Sequence, residues 1–203
     1  MKILVTGGAG FIGSNFIHYL INNYDDEIIN LDKLTYAGNL ANLSDISNKT
    51  NYKFIEGDIR NEKLLDKIFK ENIDYVVNFA AESHVDRSIK SPNQFIKTNI
   101  EGTQVLLKKS LEYNIKKFVQ ISTDEVYGSL TETGKFKESD YLNPTNPYAA
   151  SKASADLIVN SYYKTYNLKT NITRSSNNYG PYQYPEKIIP LFIIKALRNE
   201  KLP

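Results

Sequence analysis

Lys2-Ile3-Leu4-Val5-Thr6-Gly7-Gly8-Ala9-Gly10-Phe11-Ile12-Gly13 reads as a buried strand, a glycine turn and the first turn of a helix. A helix that opens on such a turn points unpaired N–H groups and its positive dipole end into the turn, which makes an anion site. Gly7 allows the tight turn, Gly10 allows backbone to approach a pyrophosphate, and Gly13 allows close packing of helix on strand. Phe11 and Ile12 lie between the last two. The functional reading is a dinucleotide site. The plain alternative is a βα turn that happens to be rich in glycine.

The next segments bear on that choice. Phe11 to Asn23 has helical spacing, with Phe16, Ile17, Leu20 and Ile21 on its apolar face. Glu27 to Asp32 is a second short apolar strand ending in an acid. Asp32 follows Gly13 at close to the spacing of a ribose-binding carboxylate, about 20 residues. Its charge would also repel a 2′-phosphate, so NAD is favoured over NADP, and Lys33 weakens that exclusion a little. Asp32 could otherwise cap a turn.

Leu34 to Asn51 reads as loop with at most a short helix, and Tyr52 to Glu56 as a third strand. Asp58 could touch adenine or cap a helix over Asn61 to Lys70. Tyr75 to Phe79 is a fourth strand, followed by Ala80 and Ala81, whose small side chains suit either close passage of a cofactor or tight packing. Pro92 to Tyr113 reads as a long helical stretch broken near Gly102. Lys117 to Ser122 is a fifth strand, Ser129 to Pro147 a loop, Tyr148 to Tyr166 a helix, Thr170 to Ser175 a sixth strand and Ile188 to Arg198 a last helix. This alternation predicts an α/β fold, a Rossmann-type doubly wound parallel sheet of about six or seven strands.

The 203 residues suffice for one domain with a substantial core, or one domain and part of another. The formal charge of +2, with acids and bases interspersed, indicates neither a nucleic-acid footprint nor a membrane-binding face. With no Cys there is no disulfide or thiolate chemistry, which is compatible with reducing cytosol. Glycine chemistry starts seven residues in, so a leader is not expected; no apolar run approaches a membrane span, and a cytoplasmic protein is expected.

Tyr148 and Lys152 stand at i and i+4, on one face of a helix. A phenol is a poor base at neutral pH, and a neighbouring ammonium favours the phenolate. Such a pair can take a proton from an alcohol while hydride leaves the same carbon, although it can equally be a surface pair. At the end of strand five stands Ser122-Thr123-Asp124-Glu125-Val126-Tyr127-Gly128. Thr123 can hydrogen-bond a reacting hydroxyl. Two adjacent acids can serve as general acid and general base with pKa values pushed apart, or form a solvated turn.

These stretches, with Asp32 to Asn39, Ala80 to Ser88 and Ser176 to Tyr182, resemble the extended short-chain dehydrogenase/reductase superfamily, and within it the dTDP-glucose 4,6-dehydratases. The resemblance runs over essentially the whole chain, and the Asp124-Glu125 pair carries its narrower part. It implies an NAD-dependent hydro-lyase of deoxysugar biosynthesis. Tyr148 and Lys152 would assist oxidation at carbon 4, Glu125 would take the proton of carbon 5, and Asp124 would protonate the departing hydroxyl of carbon 6. It also implies NAD contacts from Lys33, Leu34, Thr35, Asp58, Ile59, Phe79, Ala80, Ala81, Ser83, Thr98, Tyr148, Lys152 and Asn178. Ser83, Thr123, Asn177, Glu186 and Lys187 would contact the nucleotide sugar, dTDP-glucose.

Members of that family are longer, so residues 1–180 are expected to form the NAD-binding domain with the catalytic groups, and residues 181–203 the start of a truncated nucleotide-sugar domain. Such a piece would bind NAD and turn over poorly. The resemblance further implies a homodimer through helices around 99–113 and 149–163, with Ile100, Leu106, Leu107, Leu111, Ala153, Leu157, Ile158 and Tyr162 as a face; the same residues could pack on the sheet. His84 reads as structural, His18 as surface or packing, and Arg87 as either a phosphate ligand or a brace for the Asp86 loop. No residues have metal-ligand spacing, and the implied chemistry uses no metal. The rival readings are another nucleotide-sugar epimerase or decarboxylase, and a non-catalytic NAD-binding module.

Overall fold

Strand β1 (Lys2–Thr6) sends Leu4 into one hydrophobic cluster and Ile3 and Val5 into another, one on each face of the sheet. A strand that is apolar on both faces needs cover on both faces, and helices supply it. The computed structural model describes residues 1–130 and 134–202. After β1 come α1 (Phe11–Asn23), β2 (Glu27–Asp32), β3 (Tyr52–Glu56), α2 (Glu62–Phe69) and β4 (Tyr75–Asn78). Then follow α3 (Val85–Lys90), α4 (Pro92–Phe95), α5 (Thr103–Glu112), β5 (Lys117–Thr123), α6 (Pro147–Tyr166), β6 (Thr170–Ser175) and α7 (Ile188–Leu197).

Among the described residues the sheet has six strands, all parallel, in the order β3-β2-β1-β4-β5-β6. The chain winds outward from β1 in one direction and from β4 in the other. The crevice beyond the carboxyl ends of β1 and β4 is where such sheets take ligands. Ile17, Leu20 and Ile21 of α1 close one face, and Leu65, Ile68 and Phe69 of α2 with Leu106 and Leu107 of α5 close the other. Beneath the crevice lies a polar seam. The Thr6 hydroxyl donates to Asn78 Oδ1 at 2.6 Å, and the Asn78 amide donates to Gln120 Oε1 at 2.8 Å and Thr103 Oγ1 at 3.2 Å. All four residues are buried. Hydrogen bonds of this kind make buried polar groups tolerable and fix the relative heights of β1, β4 and β5.

Several boundaries differ from the sequence reading. The helical stretch is not broken at Gly102. A wide turn over Ile96–Gly102 joins α4 to α5, and the chain stays helical through it. Gly102 is there for packing, since a Cβ would lie 2.4 Å from Ile59 Cδ1. The short helix α3 was not expected; it stops at Ser91, the residue before Pro92, where an α conformation is disfavoured. The cap of α2 is Asn61, whose side chain accepts from Leu64 N at 3.1 Å, and not Asp58. Leu106, Leu107 and Ala153 are buried in this chain's own core, so they cannot form a dimer face, whereas Leu157 is 61% exposed. In α7 no residue is buried. Thr131, Glu132 and Thr133 of the expected loop, and Pro203 at the end of the expected second segment, lie outside the described residues.

Candidate active site

A cleft of about 670 Å³ opens at the carboxyl ends of β1, β2, β4 and β5. It is lined by every site residue named from the sequence except Leu34 and Asp124. Leu34 lies one step behind, where its N–H donates to Asp32 Oδ1 at 2.8 Å. Asp124 begins the turn below Thr123 and accepts from the Thr123 hydroxyl at 3.3 Å.

The three glycines do different work. Gly7 has φ of +71°, and a Cβ there would sit 2.5 Å from Ala80 N, so β1 and the end of β4 touch through backbone. A Cβ on Gly13 would lie 2.4 Å from Gly7 O. Gly10 differs: its nearest neighbour would be Gly7 O at 3.3 Å, and the rest of its surroundings are open. Gly10 is also the N-cap of α1, with no side chain satisfying the first-turn N–H groups and no acid among the first residues. The cradle is therefore one that an anionic backbone fits, and Cβ atoms would fill it.

Asp32 is buried at the end of β2 and accepts from Ala9 N at 2.9 Å and Leu34 N at 2.8 Å. Burial pushes its carboxyl above the ordinary value, and those two N–H groups oppose the rise. Just past the end of β3, Asp58 holds the Arg60 guanidinium at 2.7 Å and Lys33 Nζ at 3.0 Å. Burial would raise this carboxyl, but the Arg60 and Lys33 contacts win and hold it well below the carboxylate range.

At the other end of the cleft, β5 delivers Thr123 and Glu125, and the first turns of α6 deliver Tyr148 and Lys152. Asn146 joins the two elements. Its Oδ1 accepts from Ala149 N at 2.8 Å, capping α6, while its Nδ2 donates to Glu125 Oε2 at 3.1 Å. Lys152 is 4% exposed, and its Nζ donates to Ile121 O at 2.6 Å. Burial lowers its ammonium to about 8, with Asp156 acting the other way. The sequence reading of Tyr148 as a phenol eased toward phenolate is corrected here. Burial, followed by the charge of Glu125, raises it to about 12, and the neighbouring Thr123 side chain only partly offsets this. In the cleft as it stands Tyr148 is a hydroxyl.

The loop carrying the expected sugar contacts packs across the mouth. Tyr36 OH donates to Glu186 Oε1 at 3.2 Å, and His84 Nε2 lies 3.7 Å from Glu186 Oε2. Arg87 lies 3.7 Å above the Tyr36 ring, a contact that ties its own loop to the one carrying Tyr36. His18 Nε2 donates to Asn42 O at 2.8 Å, and the ring stacks on Tyr182.

Asn99, Asn146, Asp156 and Arg174 were missed. Asn99, buried in the wide turn, accepts from Glu82 N at 2.9 Å and donates to Glu82 O at 3.0 Å and Ser151 Oγ at 2.8 Å. An Asn or Asp on an otherwise apolar helical face was the available signal. Among the described residues no group of acids and histidines could hold a metal, and no helix is long and apolar enough to cross a membrane.

Residues 4–203 match the family model described as GDP-mannose 4,6 dehydratase. A glycan biosynthesis protein, Agl12, from Haloferax volcanii is 55% identical over 203 residues, and the dTDP-glucose 4,6-dehydratase of Escherichia coli is 47% identical over 222. Each match covers the whole of this chain, and 65% and 61% of those relatives, so the chain spans less than two thirds of their length. A solved structure of DesIV, the dTDP-glucose 4,6-dehydratase of Streptomyces venezuelae with NAD bound, superposes with a TM-score of 0.96 at 50% identity, over 100% of this chain and 64% of that one. A UDP-glucose 4-epimerase from Thermotoga maritima gives 0.90 at 36%, over 100% and 65%.

Proposed function

The chain belongs to the GDP-mannose 4,6 dehydratase family, and from that premise we propose that it carries the cofactor and reaction halves of an NAD-dependent dTDP-glucose 4,6-dehydratase. The observation that carries the reading is one cleft holding a glycine cradle at β1, a ribose-type carboxylate at β2, and Thr123, Glu125, Tyr148 and Lys152 at β5 and α6. Residues 1–180 would be the NAD-binding part and residues 181–203 the beginning of the sugar-binding part.

The residues present fit NAD. Gly10 leaves room for a pyrophosphate, the first turn of α1 offers N–H groups, and Asp32 offers a carboxylate to ribose hydroxyls. Bound there, NAD would accept hydride from carbon 4 of the sugar and return it to carbon 6. The chain's own part is proton handling. Once its own proton has been released to solvent, the Tyr148 phenolate takes the proton of the carbon 4 hydroxyl, which Thr123 orients, and Lys152 supplies the positive charge that the phenolate needs. Once carbon 4 is a ketone, Glu125 removes the acidified proton of carbon 5, and Asp124 protonates the hydroxyl leaving carbon 6. Asn146 holds one oxygen of Glu125, so the carboxylate enters the reaction already oriented. Ser83, Asn177, Glu186 and Lys187 would grip the sugar, and a second copy of the chain would pack on the exposed side of α5 and α6 in a cytoplasmic homodimer.

The test is calorimetric titration with NAD, followed by mass analysis of dTDP-glucose incubated with the loaded chain. NAD binding and loss of one water from the sugar support the reading. Inversion at carbon 4 without loss of water supports the epimerase rival. NAD binding that persists while Tyr148→Phe and Glu125→Gln leave product formation untouched sinks the catalytic assignment.

A further inference from the structure

Tyr148, Lys152 and Asp156 follow one another at four-residue steps on α6, so they share one face over two turns. The reaction as read above uses the first two and leaves the third without a task. Asp156 is fully buried, which a carboxylate tolerates only with a partner. Arg174 of β6 is that partner: its Nε donates to Asp156 Oδ2 at 2.8 Å. Arg174 also donates from Nη1 to Tyr127 OH at 2.7 Å, in the turn that carries Asp124 and Glu125. One guanidinium thus braces β6, α6 and the turn after β5. Asp156 Oδ1 is buried and not held by Arg174, and the Ser122 hydroxyl of β5 faces this carboxylate; burial raises its carboxyl, and Arg174 and Ser122 oppose the rise.

We propose that Asp156, held by Arg174, is a positioning residue for Lys152: its carboxylate, one helical turn on along the same helix face, keeps the buried ammonium charged behind Tyr148. The proposal rests on the reading of Tyr148 as the proton acceptor and adds the group that sustains its cationic neighbour. The charged and titratable groups facing this part of α6 are Asp124 and Glu125 from the turn after β5, Tyr127 from the same turn, and Arg174 from β6. Ile121 O of β5 accepts one proton of Lys152 and fixes the direction of its side chain. Among these charges Asp156 is the one that acts appreciably on Lys152, opposing the effect of burial.

The experiment is a pH titration of the Lys152 ε-carbon by NMR in the lysine-labelled 203-residue chain, the resonance being assigned by its loss in Lys152→Met. In Asp156→Asn, Lys152 should lose its proton at least about one pH unit lower than in the wild type, an approximately tenfold change at fixed pH. Asp156→Glu should restore most of the difference. Asp156→Asn leaves Arg174 short of a counter-charge and can unfold the chain. The double variant Asp156→Leu/Arg174→Met is therefore made as well, because apolar residues of similar volume often replace a buried ion pair without loss of stability. It too should lower the titration. An unchanged Lys152 titration in either folded variant overturns the proposal. The measurement uses neither cofactor nor sugar, so a chain that dehydrates nothing while Lys152 shifts as expected would sink the functional reading and leave this one standing.

Discussion

Replacing Lys152 by Met should alter how the stability of the chain responds to base. Burial lowers the ammonium from 10.5 to about 8 in the folded chain. Below that pH both folded and unfolded chains hold the proton, and Lys152 contributes no pH dependence. Above it the folded chain has released a proton that the unfolded chain keeps up to the ordinary lysine value. Stability rises with pH wherever the unfolded state binds more protons, so the wild type gains stability through this window. Each pH unit is about 1.4 kcal/mol, and the span from about pH 8 to about pH 9.5 gives roughly 2 kcal/mol. Lys152→Met lacks this gain. At neutral pH the variant leaves Ile121 O without its donor, a loss on the order of 1–3 kcal/mol that does not vary with pH. It also no longer buries an ammonium, which offsets that loss. The assay is urea unfolding of both proteins at about pH 7 and about pH 9.5. The difference in unfolding free energy should move by roughly 2 kcal/mol in favour of the wild type at the higher pH. The half-buried phenols Tyr36 and Tyr148, both raised to about 12, act in the opposite sense only once free tyrosine ionises, above about pH 10, so the window stays clear of them. Parallel pH curves for the two proteins would refute the argument, since they would mean that Lys152 titrates alike in both states.

Four further outcomes are expected. Gly10→Val should fold with a melting temperature close to wild type yet lose NAD on purification. Gly13→Ala, whose Cβ would meet Gly7 O at 2.4 Å, should lose on the order of 1–3 kcal/mol in a denaturant titration. Asn61→Ala should destabilise by about 1 kcal/mol through the lost cap of α2, and Asp58→Ala should leave the helical signal of α2 intact, since it caps nothing. Asp32→Ala strands two N–H groups and removes the charge facing a 2′-phosphate; the ratio of NAD to NADP affinity, measured calorimetrically, should fall by about tenfold or more, the equivalent of about 1.4 kcal/mol.

The sheet was legible because β1, β2 and β4 are short apolar runs closed by a turn signal, and because the helices between strands keep a 3.6-residue period. The β1 to α1 turn, the place of Asp32 and the pairing of Tyr148 with Lys152 follow from spacing along single elements. What spacing could not show are contacts between elements. Asn146 looks like an ordinary cap until Glu125, 21 residues earlier, is found on its amide. Asp156 and Arg174 read as scattered charges on a helix and an edge strand, and only the packing of α6 on β6 joins them. The phenol of Tyr148 was misjudged for the same reason. Sequence placed a cation four residues away, but it could not weigh that against burial and two acids arriving from another strand. Gly102 was misread as a breaker because Ile59, which it admits, belongs to a distant loop.

The wide turn over Ile96–Gly102 has a consequence that is best counted in codons. Such a turn holds one residue more than regular helix needs over the same rise. Loss of one of its seven codons would remove that extra residue, and α4 and α5 could merge into one regular helix with Phe95 on one side, and Leu106 and Leu107 on the other, still facing the core. What the deletion would cost is Asn99's place between Glu82 and Ser151. The same single in-frame deletion inside the regular helix α5 would instead rotate everything beyond it by about 100°. The wide turn is thus the one stretch of this helical run where a codon can be lost without turning the buried faces away from the core.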